Sequence, residues 1–101
     1  MNIHYNTVDG RSVFFKPLHI KYVSLLQHED KDYVQTLPFT YNDMSLFIHA
    51  LQYFIRHHRI KKSIPLTEKE TIYTVADFMG CDDLATCILP EIQTDIIRCC
   101  L

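Results

Sequence analysis

The chain has 101 residues, 48% of them apolar, and a formal net charge of −2. That length suits one domain with a modest core and excludes two. The near-neutral charge excludes a bulk electrostatic affinity for nucleic acid or an anionic membrane, both of which call for a basic face. No apolar run reaches membrane-spanning length and no signal-peptide core is present, so a cytoplasmic or nuclear location is the expectation.

Near the start, Ile3, Tyr5 and Thr7 alternate with His4 and Asn6, and Val13 and Phe15 alternate with Ser12 and Phe14. Asp9-Gly10 between the two runs predicts a hairpin, because Gly accepts the positive φ of a tight turn. Pro17 ends the second strand. A first helix is expected over 18–27, with Leu18, Val23, Leu25 and Leu26 turned to the core. His28-Glu29-Asp30-Lys31-Asp32 reads as a charged loop, and Tyr33-Val34-Gln35-Thr36-Leu37 as a third strand stopped by Pro38.

A long helix should start at Thr40 or Asn42, either of which can cap exposed amides. Met44, Phe47, Ile48, Leu51, Phe54 and Ile55 follow helical spacing, while Leu46, Ala50 and Tyr53 widen the apolar stripe almost all round. Such a helix belongs in the middle of a domain. Arg56-His57-His58-Arg59-Ile60-Lys61-Lys62 is the concentrated basic segment and reads as a solvated helix end whose cations favour the negative end of the helix dipole. Neighbouring histidines on a helix point about 100° apart and do not chelate one ion without a third ligand.

Thr67-x-x-Glu70 has the form of a capping box. Ile72, Val75, Ala76 and Met79 make the buried stripe of the helix it opens, and Gly80 is placed to end that helix in a left-handed cap. Asp82 or Asp83 should cap another helix carrying Leu84, Cys87 and Ile88. Pro90 removes a backbone donor, so it should kink that helix or open a last one with Ile92, Ile96 and Ile97. Cys81, Cys87, Cys99 and Cys100 match no zinc spacing and read as reduced thiols without metal. With two glycines in the chain there is no phosphate loop, and no spacing brings Cys, His and carboxylate together, so neither an enzyme nor a cofactor is expected.

The order of elements, with Asp9-Gly10 before Val13-Phe14-Phe15-Lys16, Leu37-Pro38 before an apolar helix through Gln52-Tyr53-Phe54, and Ala76-Asp77-Phe78-Met79-Gly80-Cys81-Asp82-Asp83-Leu84, resembles the BTB/POZ superfamily. The likeness is to its compact elongin C and Skp-type adaptor branch and spans almost the whole chain. It departs from that pattern around Ile20 to Leu26, in the short 28–31 loop, in carrying Asp77 where the family has Asn, and in ending before the Skp-type terminal helix.

The Asp9-Gly10 hairpin and the helical periodicity from Met44 predict a mixed α+β (α/β) fold with a small three-stranded sheet packed on a helical cluster centred on 43–60, and the resemblance implies that it is a single BTB/POZ-like domain over 1–101. It further implies a non-catalytic adaptor that joins a substrate receptor to a cullin-type ubiquitin ligase scaffold. By that likeness Tyr53, Ile72, Tyr73, Phe78, Met79 and Cys81 form a groove for a short apolar receptor helix, and Arg56, Thr74 and Asp77 meet the scaffold. A BTB-like module serving as subunit or homodimer of another complex is the alternative, motivated by the same surplus of apolar helix surface.

Overall fold

The computed structural model describes residues 3–27 and 35–100. Strands β1 (Ile3–Asn6) and β2 (Ser12–Phe15) form an antiparallel pair in which Tyr5 faces Val13 and Asn6 faces Ser12. Gly10 turns the chain at φ 79°, as the Asp-Gly pair predicts. The alternation then sorts side chains as a half-buried strand pair must: Tyr5, Val13 and Phe15 are buried, whereas Phe14 points outward. The expected third strand is reduced to two residues, β3 (Gln35–Thr36), which lies parallel along the other edge of β1. Tyr33, Val34 and the charged loop lie outside the described residues.

Among the described residues five helices follow the hairpin: α1 (Pro17–Ile20), α2 (Ser24–Gln27), α3 (Tyr41–His57), α4 (Leu66–Met79) and α5 (Asp82–Cys100). The three long ones stack in sequence. The hairpin lies on α3, α3 on α4, and α4 on α5, which spreads the molecule to 50 × 27 × 18 Å. Phe15 ties the sheet to the first of these contacts, with the rings of Tyr5, Phe47 and His19 all within 6.4 Å of its own.

Helix α3 begins where the sequence places it. Thr40 Oγ1 accepts the amide of Asp43 at 3.2 Å, which satisfies one of the donors left free in a first turn. A second cap comes from the hairpin turn: Asp9 Oδ1 accepts the amide of Tyr41 at 3.0 Å, and Arg11 sits 3.9 Å from the Tyr41 ring centroid. The Thr7 hydroxyl also donates to Asp9, and that hydrogen bond holds the Asp9 carboxyl below its ordinary value. Gly80 caps α4 with φ 71°, as expected, and the Cys81 amide reaches back to the Ala76 carbonyl at 2.8 Å. An added Cβ at Gly80 would lie 2.8 Å from the Ser24 Cβ, so α2 docks against this cap.

Several expectations are corrected. The single helix over 18–27 is two short ones, and Leu18 is 52% exposed while His19 is buried. His19 takes the inward position because its Nδ1 accepts the Lys16 amide at 3.3 Å and its ring packs edge-on to Phe15. Thr67 is not a cap: Pro65, extended at ψ 154°, starts α4 at Leu66, and the Thr67 carbonyl is an acceptor for Thr71 Oγ1. Pro90 neither ends α5 nor begins a new helix. Pro90 and Thr86, whose carbonyl loses its partner there, are both exposed, so water can satisfy the group and the helix continues. The helix touching most of the others is α4, against α2, α3 and α5, rather than α3.

Candidate functional site

Polar side chains left over from the core meet apolar side chains at the core's margin around Tyr53. Core-facing positions of α3 are Met44, Phe47, Ala50 and Leu51, all buried, so Tyr53 falls on the flank of the helix, half-buried. Its ring lies 4.3 Å from that of His57, and Lys61 Nζ is 5.5 Å from its centroid. The helix stops at His57, and the next residue, His58, adopts the left-handed conformation and donates its amide to the Phe54 carbonyl at 2.7 Å. That turn brings Lys61 back beside Tyr53.

Two clefts share Tyr53. One, of about 490 Å³, lies between α1 and the C-terminal half of α3 and is lined by Lys16 and His19, by His49, Arg56 and His57, and by Lys61. Among the described residues none that lines it is acidic. The other, of about 180 Å³, lies between α3, the connection and α4, and is lined mainly by Leu46, Ala50, Ile60, Ile64 and Ile72, with Glu68 contributing the one carboxylate.

The six residues that the resemblance assigns to a receptor groove do not assemble into one. Ile72, Met79 and Cys81 are buried in the core, and of these Ile72 alone lines a cleft, together with Tyr53. Tyr73 and Phe78 are five residues apart on α4, hence about 140° apart around its axis, and they occupy opposite flanks. Phe78, 46% exposed, stacks edge-on to Phe39 at 5.3 Å. The buried stripe of 72, 75, 76 and 79 consumes the α4 face on which such a groove would have to lie.

The three scaffold positions divide as well. Thr74 and Asp77 are both exposed and three residues apart, so they share a face, and the Thr74 hydroxyl is turned to the Glu70 carbonyl at 2.9 Å. Arg56 instead lines the basic cleft.

Among the described residues no three His, Cys, Asp or Glu side chains are grouped as an ion requires, and no helix is long and apolar enough to cross a membrane. Cys81, Cys87 and Cys99 are free; the Cys100 side chain lies outside the described residues. Burial pushes the Cys81 thiol up to about 11 and raises Cys87 as well. Alkylation at pH 7.5 should therefore label exposed Cys99 well before Cys81, read by mass of the intact and digested protein. Equal labelling of the two would refute the burial.

Sequence reasoning missed Lys16, His19, His49 and Lys61 as cleft residues and Lys69 as a buried cation. The basic segment 56–62 was visible, but nothing in its spacing announces α1 as the opposite wall. For Lys69 a signal existed: it lies three residues before Ile72 and so extends the buried stripe.

His19 gives this region a pH signature. Burial, with the nearby Lys16 charge second, lowers its value below the ordinary 6.5. The unfolded chain then binds the proton at higher pH than the folded one, so the contribution of this group to stability is full above about pH 6.5 and is lost as pH falls through that value. Thermal melts at pH 7.5 and 5.5 should show a larger drop for the native chain than for His19→Gln. Equal drops would refute it.

Comparison with protein-family models finds no match, and comparison with curated proteins finds no significant relative.

Proposed function

We propose that the chain is a non-catalytic adaptor with a BTB/POZ-like arrangement, which joins a substrate receptor to a cullin-type ubiquitin ligase scaffold through protein contacts. The observation that supports this best is apolar surface left on helices whose inner faces already fill the core: Phe78, Leu89, Ile96 and Ile97 all remain exposed on α4 and α5. Such surface is costly to leave in water and has a ready use under a partner. The ordered motifs shared with the compact adaptor branch supply the particular role.

In this reading the receptor contributes an apolar side chain to the cleft where Tyr53 meets Ile72, and the scaffold meets the exposed Thr74 and Asp77 face. Tyr73 and Phe78 serve separate flanks. The function needs no cofactor. Isolation of the tagged chain from its native cell tests it: cullin and receptor peptides in stoichiometric amount support the adaptor, and their absence beside another abundant partner refutes it.

One observation favours the alternative of a self-associating subunit. Leu89, Gln93, Ile96 and Ile97 recur at helical spacing on α5, are all exposed, and carry no charge. Light scattering on the purified chain separates the two readings, since a dimer abolished by Ile97→Glu belongs to the second.

A further inference from the structure

The two clefts that share Tyr53 differ in character, and their union is informative. Three of the chain's ten Lys and Arg residues and three of its six histidines line the larger one, while among the described residues no Asp or Glu does. Lys16, Arg56 and Lys61 form no ion pair among the described residues, where the pair found is Lys69 with Asp95. The α3 C-terminus needs only about half a charge to balance its dipole. The cleft therefore holds more positive charge than the fold itself uses.

We propose that the two clefts form one docking site for a short acidic peptide segment of a protein partner. An apolar side chain of the segment enters the space between Ile60, Ile64 and Ile72, and flanking carboxylates lie against Lys16, Arg56 and Lys61. The proposal shares with the adaptor reading a protein partner and the cleft at Tyr53 and Ile72, and needs neither a receptor nor a cullin scaffold.

Charge decides for a short segment. Among the described residues outside the cleft, nine Asp and Glu stand against six Lys and Arg, so a long polyanion such as nucleic acid would cross a surface of net negative charge. A carboxylate segment also suits the donors better than a phosphate group. Only one arginine is present for bidentate capture, whereas ammonium and imidazole groups spread over two walls and a loop match several separated carboxylates. Glu68, which lines the apolar cleft beside Lys61 and His49, sets the polarity: it repels the carboxylates there and leaves that space to the apolar residue. Tyr53, its ring beside His57 and Lys61, forms the shared wall, an amphipathic position that suits tyrosine.

The test is fluorescence anisotropy with a fluorescein-labelled peptide of aspartate and glutamate around a central leucine. Binding should weaken about tenfold or more for the triple variant Lys16→Gln, Arg56→Gln, Lys61→Gln, since each partly exposed pair contributes a fraction of that. It should stay within about twofold for Arg59→Gln with Lys62→Gln, exposed cations outside the cleft. Replacing the peptide's leucine by alanine should cost about fivefold or more, and replacing its acids by lysine should abolish binding. The single variant Lys61→Gln, which should weaken binding in the same direction, guards against loss of fold in the triple one.

Unchanged binding by the triple or Lys61→Gln variant overturns the proposal, as does tighter binding of oligothymidylate, or displacement of the peptide by equimolar inorganic phosphate. Peptide binding without cullin in native isolates refutes the adaptor and leaves the docking site standing. Cullin recovery with no peptide binding does the reverse.

Discussion

Leu51→Ala is expected to lower the unfolding free energy by about 2–4 kcal/mol, and Val75→Ala by about 1–3 kcal/mol. Both side chains are fully buried, Leu51 on α3 and Val75 on α4, in the two helices that carry the core from the hairpin to α5. Truncation leaves a cavity that neighbours refill only in part. The hairpin on one side of α3 and α4 on the other cannot both move inward without breaking the Asp9 cap at Tyr41 or the Gly80 contact with Ser24. Urea titration measures the loss, with an unchanged slope showing that the denatured state is the same. Losses under about half a kcal/mol at both sites would mean that these faces are not the packed ones.

These two positions were legible because burial on a helix imposes a period, and a period is visible in one dimension. Met44, Phe47 and Leu51 or Ile72, Val75 and Met79 announce their faces directly. Turn chemistry is legible for a similar reason: Asp9-Gly10 and Gly80 each mark a backbone conformation that side chains rarely adopt. What failed depends on solvent and on distant partners. Pro90 is tolerated because its side of α5 is wet. Thr67 lost its capping role to the backbone of Pro65, a competition within two residues that the capping pattern alone does not resolve.

The candidate site was less legible than the fold. Tyr53 was singled out, and the structure puts it at the junction of two clefts, yet the residues grouped with it by family likeness are scattered over the core and opposite flanks of α4. Lys16 and His19 reach the same cleft from a part of the chain with no local mark of function. Convergence of α1, the end of α3 and the following loop is a tertiary event. Periodicity names faces, and it is silent on which faces meet.

Removal of the Asp95 carboxylate is the other substitution with a large expected effect. Lys69 is buried on α4 and its Nζ lies 2.6 Å from Asp95 Oδ2 of α5, with side-chain exposures of 4% and 21%. The pair sits on the interface of the two helices, continuing the stripe of Ile72 and Met79 on one and of Ile88 and Ile92 on the other. A buried pair adds little net stability over an apolar pair of the same volume, because both charges gave up water to form it. Breaking it from one side is different. Asp95→Ala leaves an ammonium group in the interface without its partner and should cost about 3 kcal/mol, near the low end for buried pairs since Asp95 keeps some contact with water. Lys69→Met should cost less, because the stranded carboxylate is the more exposed partner and can rehydrate. Asp95→Leu alone should cost about as much as Asp95→Ala, and combined with Lys69→Met it should return to within about 1 kcal/mol of the native chain, a coupling term of more than about 2 kcal/mol in the cycle of Lys69→Met and Asp95→Leu. A loss under about 1 kcal/mol for Asp95→Ala, or a double variant as unstable as the sum of its parts, would show that Lys69 escapes to solvent by turning its flexible stem outward.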